Sequence, residues 1–196
     1  MRKPKTDPEK RQRWLAFLRN HAKHIVGIDF LVVRTILFRS IHVFVAISHD
    51  RRKILHFALT ANPHSQWAIQ QLRETFVSDE TTKYVIRDND GIYSNEFKQT
   101  IKRFGLKDTP TAPRSPWQNP FAERVIGTLR RECLGHMIIL SEKHLYNILH
   151  EYIFEYYNVS RTHMSLDKDS PVHRPVQKDG KIVSKPILGG LHHVYS

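Results

Sequence analysis

Residues 25–33 read "IVGIDFLVV", a β-branched apolar run with a single carboxylate, Asp29, at its middle. Such a run is the pattern of a buried strand. Two more follow closely, "SIHVFVAIS" at 40–48 and "KILHFAL" at 53–59, with compact basic or polar breaks such as "HDRRK" between them. The spacing predicts three consecutive strands in a meander. Asn62 and Pro63 then read as the cap and first position of a helix whose Ile69, Leu72 and Phe76 share one side, before a buried-type strand returns in "KYVIRD" at 83–88. A second helix has Ser94 as its cap, Phe97, Ile101 and Phe104 as its stripe, and Gly105 as its stop. It leads into a short strand around "LKDTPT" at 106–111.

The last third is helical. "NPFAERVIGTLRRECLGH" at 119–136 opens with Asn119 as cap and Pro120 at the first helical position, and "KHLYNILHEYIFEYYN" at 143–158 sets Leu145, Ile148, Leu149, Tyr152 and Tyr156 on one side. Residues 1–24 form a basic leader with one short helix, capped by Asp7 and begun by Pro8. Residues 166–196 are rich in Pro, Gly and charge and read as an extended tail. The expected division is a leader at 1–24, a core at 25–165 and a tail at 166–196. The element order implies an α/β fold: a mixed sheet of a three-strand meander plus two further strands, flanked by helices.

Composition bounds the partners. Among 196 residues, 31 Lys and Arg face 19 Asp and Glu, a formal charge of +12. That excess points to a polyanion, and nucleic acid comes first. No segment is long and apolar enough to span a bilayer and the start lacks a signal-peptide core, so no membrane partner and a cytoplasmic location are expected. The single cysteine, Cys133, excludes an intramolecular disulfide and a Cys-rich zinc site, and the 13 histidines include no HExxH pair.

Three acids stand out against this basic background. Asp29 interrupts an apolar strand, where an unpaired carboxylate is costly. Asp88 ends the second buried strand, and Glu123 lies in the first turn of the helix that begins at Pro120, where negative charge is favoured whatever its function. Two strand carboxylates and one at a helix start can converge at one edge of a mixed sheet. Like charges brought together there call for divalent cations, and magnesium prefers oxygen ligands. Two such ions about 4 Å apart can drive phosphoryl transfer without a Cys, His or Ser nucleophile. Glu132, nine residues after Glu123, points to the opposite side of the helix at about 100° per residue and reads as the solvated partner of a neighbouring Arg.

The blocks "GIDF", "IRDNDGIYSNEF", "TAPRSPWQNPFAERVIGTLRREC" and "YYNVSRTHMSLDKDSP" together resemble the integrase core of bacterial insertion-sequence transposases, the DDE group related to retroviral integrases. The resemblance runs over about residues 25–175 and implies an RNase H-like fold. The D,D-35-E motif of that family falls on Asp29, Asp88 and Glu123, which become the implied catalytic and metal-binding residues for two Mg2+ or Mn2+ ions. Thirty-four residues separate Asp88 from Glu123 and thirty-two separate Asp90 from it, so the family spacing favours Asp88. So does the aromatic expected five residues on, Tyr93. This chain departs from the family in carrying Asp90 where Gly is common, and "NDG" marks Asp90 as a turn former.

By the same resemblance the loop before Glu123 lies against DNA, which makes Arg114, Trp117, Gln118 and Asn119 candidate DNA contacts. Arg124, Arg130 and Arg131 are placed to track phosphates from the catalytic helix. Arg161 and His163 match the tail motif without an evident role. The implied activity is metal-dependent DNA strand cleavage and transfer during transposition, by a homo-oligomer on DNA in a bacterial, nucleoid-associated setting. An RNase H-like nuclease that only cuts, or a non-catalytic DNA-binding remnant, are the alternatives. No helix-turn-helix fits within residues 1–24, so end recognition is expected from a separate protein or domain.

Overall fold

A computed structural model describes residues 7–77, 81–113, 115–175 and 179–195. Its centre is strand β1 (Ile25–Arg34), which pairs antiparallel with β2 (Ser40–Ser48), itself antiparallel to β3 (Ile54–Thr60). On its other side β1 runs parallel to β4 (Tyr84–Arg87), and β4 runs parallel to β5 (Lys107–Pro110). The order β3-β2-β1-β4-β5 is the meander plus two further strands.

Alternation along the strands feeds two cores. Val26, Ile28, Phe44 and Ala46 pack against helices α2 (Ser65–Phe76) and α3 (Asn95–Arg103) through Ile69, Leu72, Phe97 and Ile101. The opposite face offers Leu31, Val33, Val43 and Val45 to α4 (Pro120–Glu132) and α5 (Glu142–His150) through Val125, Leu129, Leu145 and Leu149. The sheet is therefore covered on both faces, which is why β1 reads as a continuous apolar run over its first half and alternates only towards its exposed end. Helix α1 (Pro8–Asn20) lays Leu18 against Ile25 and Ile86, flanked by Trp14, Phe17 and Tyr84.

Local chemistry sets several boundaries. Asp7 accepts from the Glu9 amide and Ser94 from the Phe97 amide, as their positions require. Gly105, at φ 71°, ends α3 in the left-handed region open to glycine. Helix α2 begins later than Asn62 and Pro63 suggest: those residues belong to a turn in which the Asn62 amide donates to Thr60 Oγ1, and His64 occupies the N-cap. Beyond α5 the helix widens into a π-turn at Glu151–Tyr157, which buries Tyr152, Ile153 and Tyr157 together.

The extended tail expected after residue 166 is corrected. β6 (Ser184–Ile187) and β7 (His192–Tyr195) pair antiparallel around Gly189 and Gly190, both at positive φ. Ile187 and Leu188 enter the α4–α5 core, and the Leu188 amide donates to Glu151 Oε1 at 2.6 Å. The glycines that suggest looseness in sequence make the turn.

Candidate active site

The β1–β4 register pairs Gly27 with Ile86. Continuing along both parallel strands by two residues brings Asp29 level with Asp88, which follows the last residue of β4. Gly27, Asp29 and Leu31 alternate together along β1. Leu31 belongs to the core that α4 covers, so this is also the face covered by the helix whose first turn carries Glu123.

The start of α4 is fixed to that strand. Asn119 occupies the N-cap position but makes no capping bond; its Nδ2 donates to the Ile28 carbonyl at 3.1 Å. Gly27 makes room for it, because a Cβ there would lie 2.7 Å from Asn119 Oδ1 and 3.0 Å from His49 Nε2. Trp14 Nε1 donates to the Gln118 carbonyl at 3.1 Å, and the Ala112 amide donates to Gln118 Oε1 at 2.6 Å, so the loop before α4 is braced from both sides.

Burial is the main cause that pushes the Asp29 carboxyl up to about 7. The Phe30 amide, donating to Oδ1 at 2.7 Å, opposes the shift; the charges of Asp88 and Glu123 reinforce it, and Arg130 partly offsets them. Asp88 is likewise raised, first by burial and then by the charge of Asp90. Its Oδ1 is buried without a hydrogen-bond partner among the described residues. Asp90 instead closes the turn: its Oδ1 accepts from the Ile92 amide at 3.0 Å and its carbonyl from the Tyr93 amide at 3.2 Å. Among the described residues no three His, Cys, Asp or Glu side chains gather into a group that could hold a metal ion. Asp29, Asp88 and Glu123 share an electrostatic environment without being drawn into one cluster.

A residue that the sequence reading missed positions Asp88. Arg87, almost wholly buried, binds Asp108 through Nε and Nη2, and its Nη1 donates to the Asp88 carbonyl at 2.9 Å. Its guanidinium also lies 4.9 Å from the centroid of the Tyr93 ring. An arginine in a four-residue buried strand was the available signal.

The candidate DNA contacts separate into groups. Arg114 lies outside the described residues. Trp117 is half-buried, Gln118 braces its loop, and Asn119 stands at the N-cap of α4 as expected but makes no capping bond, its Nδ2 donating to Ile28 instead; at 4% exposure it leaves almost no surface for DNA. Arg124, Arg130 and Arg131 are exposed along α4. Glu132 is not the solvated partner of a nearby Arg: it binds Arg161, 29 residues on, through two bonds of 2.7 and 2.6 Å, and accepts from the Tyr152 hydroxyl at 3.0 Å. That pairing holds Glu132 below the usual carboxylate range, with the Arg161 hydrogen bonds as the leading cause.

Residues 105–171 match the family described as the integrase core domain. Among solved structures, the chain is similar to a simian T-cell lymphotropic virus intasome in complex with PP2A regulatory subunit B56 gamma, at 14% identity and TM-score 0.62 over 88% of this chain and 66% of that one. It thus spans just under two thirds of that chain. The catalytic core of BIV integrase matches at 14% identity and TM-score 0.54, over 76% of this chain and 91% of that one. The Mos1 transposase catalytic domain, solved with raltegravir and Mg, matches at 13% identity and TM-score 0.63, over 74% and 79% respectively; a further structure of that domain carries Mn. No curated protein sequence matches the chain. The fold is that of integrase and transposase catalytic domains, the RNase H-like mixed sheet.

Proposed function

We propose that this chain is the catalytic core of a DDE transposase, cleaving DNA strands and joining the freed end to a target. One observation carries the reading: Asp29 on β1 and Asp88, just past the end of the parallel strand β4, come level with each other on the face covered by α4, whose first turn carries Glu123. The integrase-core match over 105–171 supports it.

Asp29, Asp88 and Glu123 would hold Mg2+ or Mn2+, the ions carried by the Mos1 structures. The donor set fits a hard cation: all three are carboxylates, and the buried, unpartnered Oδ1 of Asp88 lacks the donor that a hard cation would replace. Bound there, divalent ions would polarise a phosphodiester and activate the attacking hydroxyl. The chain's own residues set the stage. Arg87 holds the backbone at Asp88, and the Asn119–Ile28 bond keeps the first turn of α4, and with it Glu123, against β1. With its carboxyl pushed up to about 7, Asp29 is partly protonated near neutral pH, so loading the site is coupled to releasing that proton. Exposed Arg124, Arg130 and Arg131 offer phosphate contacts along the same helix. DNA as substrate, a homo-oligomer assembled on it, end recognition by a separate helix-turn-helix module, and a leader (1–24) ahead of a core that starts at residue 25 belong to the same proposal.

Incubating the protein with a labelled, pre-cut DNA end and Mn2+ tests it. Joined products longer than the substrate are expected. Nicking alone would favour the RNase H-like nuclease, and no product from a folded protein would sink the catalytic reading.

A further inference from the structure

With the turn between β2 and β3 and the segment after the π-turn, α4 closes a small recess that none of the three carboxylates lines; its lining includes Arg52, Phe121, Arg124, Arg161, His163 and Ser165. Its cations differ in how they are satisfied. Arg161 is fully engaged by Glu132, and its Nη1 lies 3.5 Å from His163 Nε2. Arg52 is not. Its guanidinium carbon sits 3.6 Å from the Phe121 ring centroid, while Nε and Nη1 are buried with no hydrogen-bond partner among the described residues. Unmet donors on a cation are costly wherever water is excluded. Arg52 also sits at φ 64°, in the left-handed region that is uncommon for residues other than glycine.

Arg124 reaches the recess from α4. The field there is positive on balance: burial and then the charge of Arg124 hold Arg52 below its ordinary value, although Asp50 and the Tyr157 hydroxyl counter this. Burial, followed by Arg161, Arg52 and Arg124, takes His163 down to about 4 against the opposing charge of Glu132, leaving it neutral.

We propose that this recess binds one phosphate of a DNA backbone, with the ring-stacked Arg52 guanidinium and its unpartnered nitrogens as the main donor, Arg124 as a second cation and Ser165 as a hydroxyl donor. A guanidinium already fixed against an aromatic ring offers charge and N–H donors to an oxyanion with little ordering left to undergo. Arg161, clamped by Glu132, backs the pocket. The proposal rests on the chain acting on DNA, and it deepens that reading by adding a phosphate seat that contains none of the three carboxylates. Arg124 follows Glu123 on α4, so one helix would carry both.

The test uses the full chain in chelator, so that catalysis plays no part. Binding of a duplex of arbitrary sequence is followed by fluorescence anisotropy across a salt series for the wild type, Arg52→Gln and Arg52→Lys, each checked for folding by circular dichroism. In parallel, sodium phosphate is compared with sodium chloride at matched ionic strength for its effect on the melting temperature.

Arg52→Gln should weaken DNA binding and reduce the slope of log K against log salt by about 0.9, the loss of one phosphate contact. Phosphate should raise the wild-type melting temperature and leave that of Arg52→Gln unmoved. Arg52→Lys, which keeps the charge and loses the planar guanidinium, should keep the slope while binding more weakly, and it stands in should Arg52→Gln fail to fold. Loss of phosphate stabilisation with an unchanged DNA slope would assign the recess to a free anion and overturn the proposal. A reduced slope without any phosphate effect would make Arg52 a diffuse surface charge and overturn the pocket; no change in either measurement would overturn both parts. Binding changes as expected in a chain that never joins DNA would remove the catalytic reading and leave the phosphate seat standing.

Discussion

Arg87 and Asp108 meet across the parallel strands β4 and β5 through a forked pair of hydrogen bonds, 2.9 Å from Nε and 2.7 Å from Nη2, with Arg87 only 1% exposed. The fork leaves one nitrogen for the Asp88 carbonyl, so a buried ion pair is built into the support of a candidate catalytic residue. Breaking such a pair strands a buried charge. Arg87→Met should lower the unfolding free energy by about 3–5 kcal/mol, whereas the double variant with Asp108→Asn should recover part of that loss. Urea unfolding of the four members of the cycle measures it; additive losses would show that the pair acts as two separate groups.

Asp88→Asn removes a charged oxygen at the candidate site, and strand transfer should fall by roughly 10²–10³ or more, as when a charge-stabilising group is lost. Asp90→Asn should cost little, because Asn can accept the Ile92 amide in the same turn. Both are assayed with Mn2+ at equal foldedness. An inactive Asp90→Asn beside an active Asp88→Asn would move the ligand two residues along the chain.

Asp29 gives the stability of the metal-free protein a pH dependence. Its folded carboxyl titrates near 7 and its ordinary value is 3.8, so between these the folded chain binds a proton that the unfolded chain has released. Stability from this group therefore falls as pH rises through that window. In chelator, Asp29→Asn should stabilise the protein at pH 8 by on the order of 2 kcal/mol and change it little at pH 4. Melting curves at the two pH values check the difference; an equal effect at both would remove Asp29 as its source.

Gly27→Ala should push Asn119 off β1, because the added carbon would arrive 2.7 Å from Oδ1. A loss of about 1–3 kcal/mol is expected from the overpacking, together with reduced strand transfer as the start of α4 shifts. Adding Asn119→Ala to Gly27→Ala should restore some stability and none of the activity. Unchanged melting of Gly27→Ala would mean that the helix start yields without cost.

What could be read from sequence was what local periodicity carries. The run at 25–33, the short buried strand that stops one residue before Asp88 and the caps Asp7 and Ser94 depend on neighbours a few residues away, and the structure has each of these elements. The acids Asp29, Asp88 and Glu123 stood out because charge interrupts an apolar pattern or opens a helix. The supports of the site did not stand out. Asn119 finds its partner 91 residues back along the chain and Arg161 finds Glu132 from 29 residues away, and neither distance leaves a periodic trace. Asn62 and Pro63 failed as a helix start because Thr60 captured the Asn62 amide, a competition between turn and cap that composition cannot rank.

The β6–β7 hairpin matters for anyone shortening this chain. A cut after Pro175, where the family resemblance fades, would remove Ile187 and Leu188 from the α4–α5 core and release Glu151 from the Leu188 amide. The ring of Tyr156, stacked on His192 at 4.3 Å, would lose its cover as well. Such a trimmed protein would present a sticky aromatic surface beside the π-turn, prone to self-association and early protease attack, while its five-stranded sheet stayed intact. Loss of yield or monodispersity on trimming would then reflect an uncovered core flank, not damage to the carboxylates.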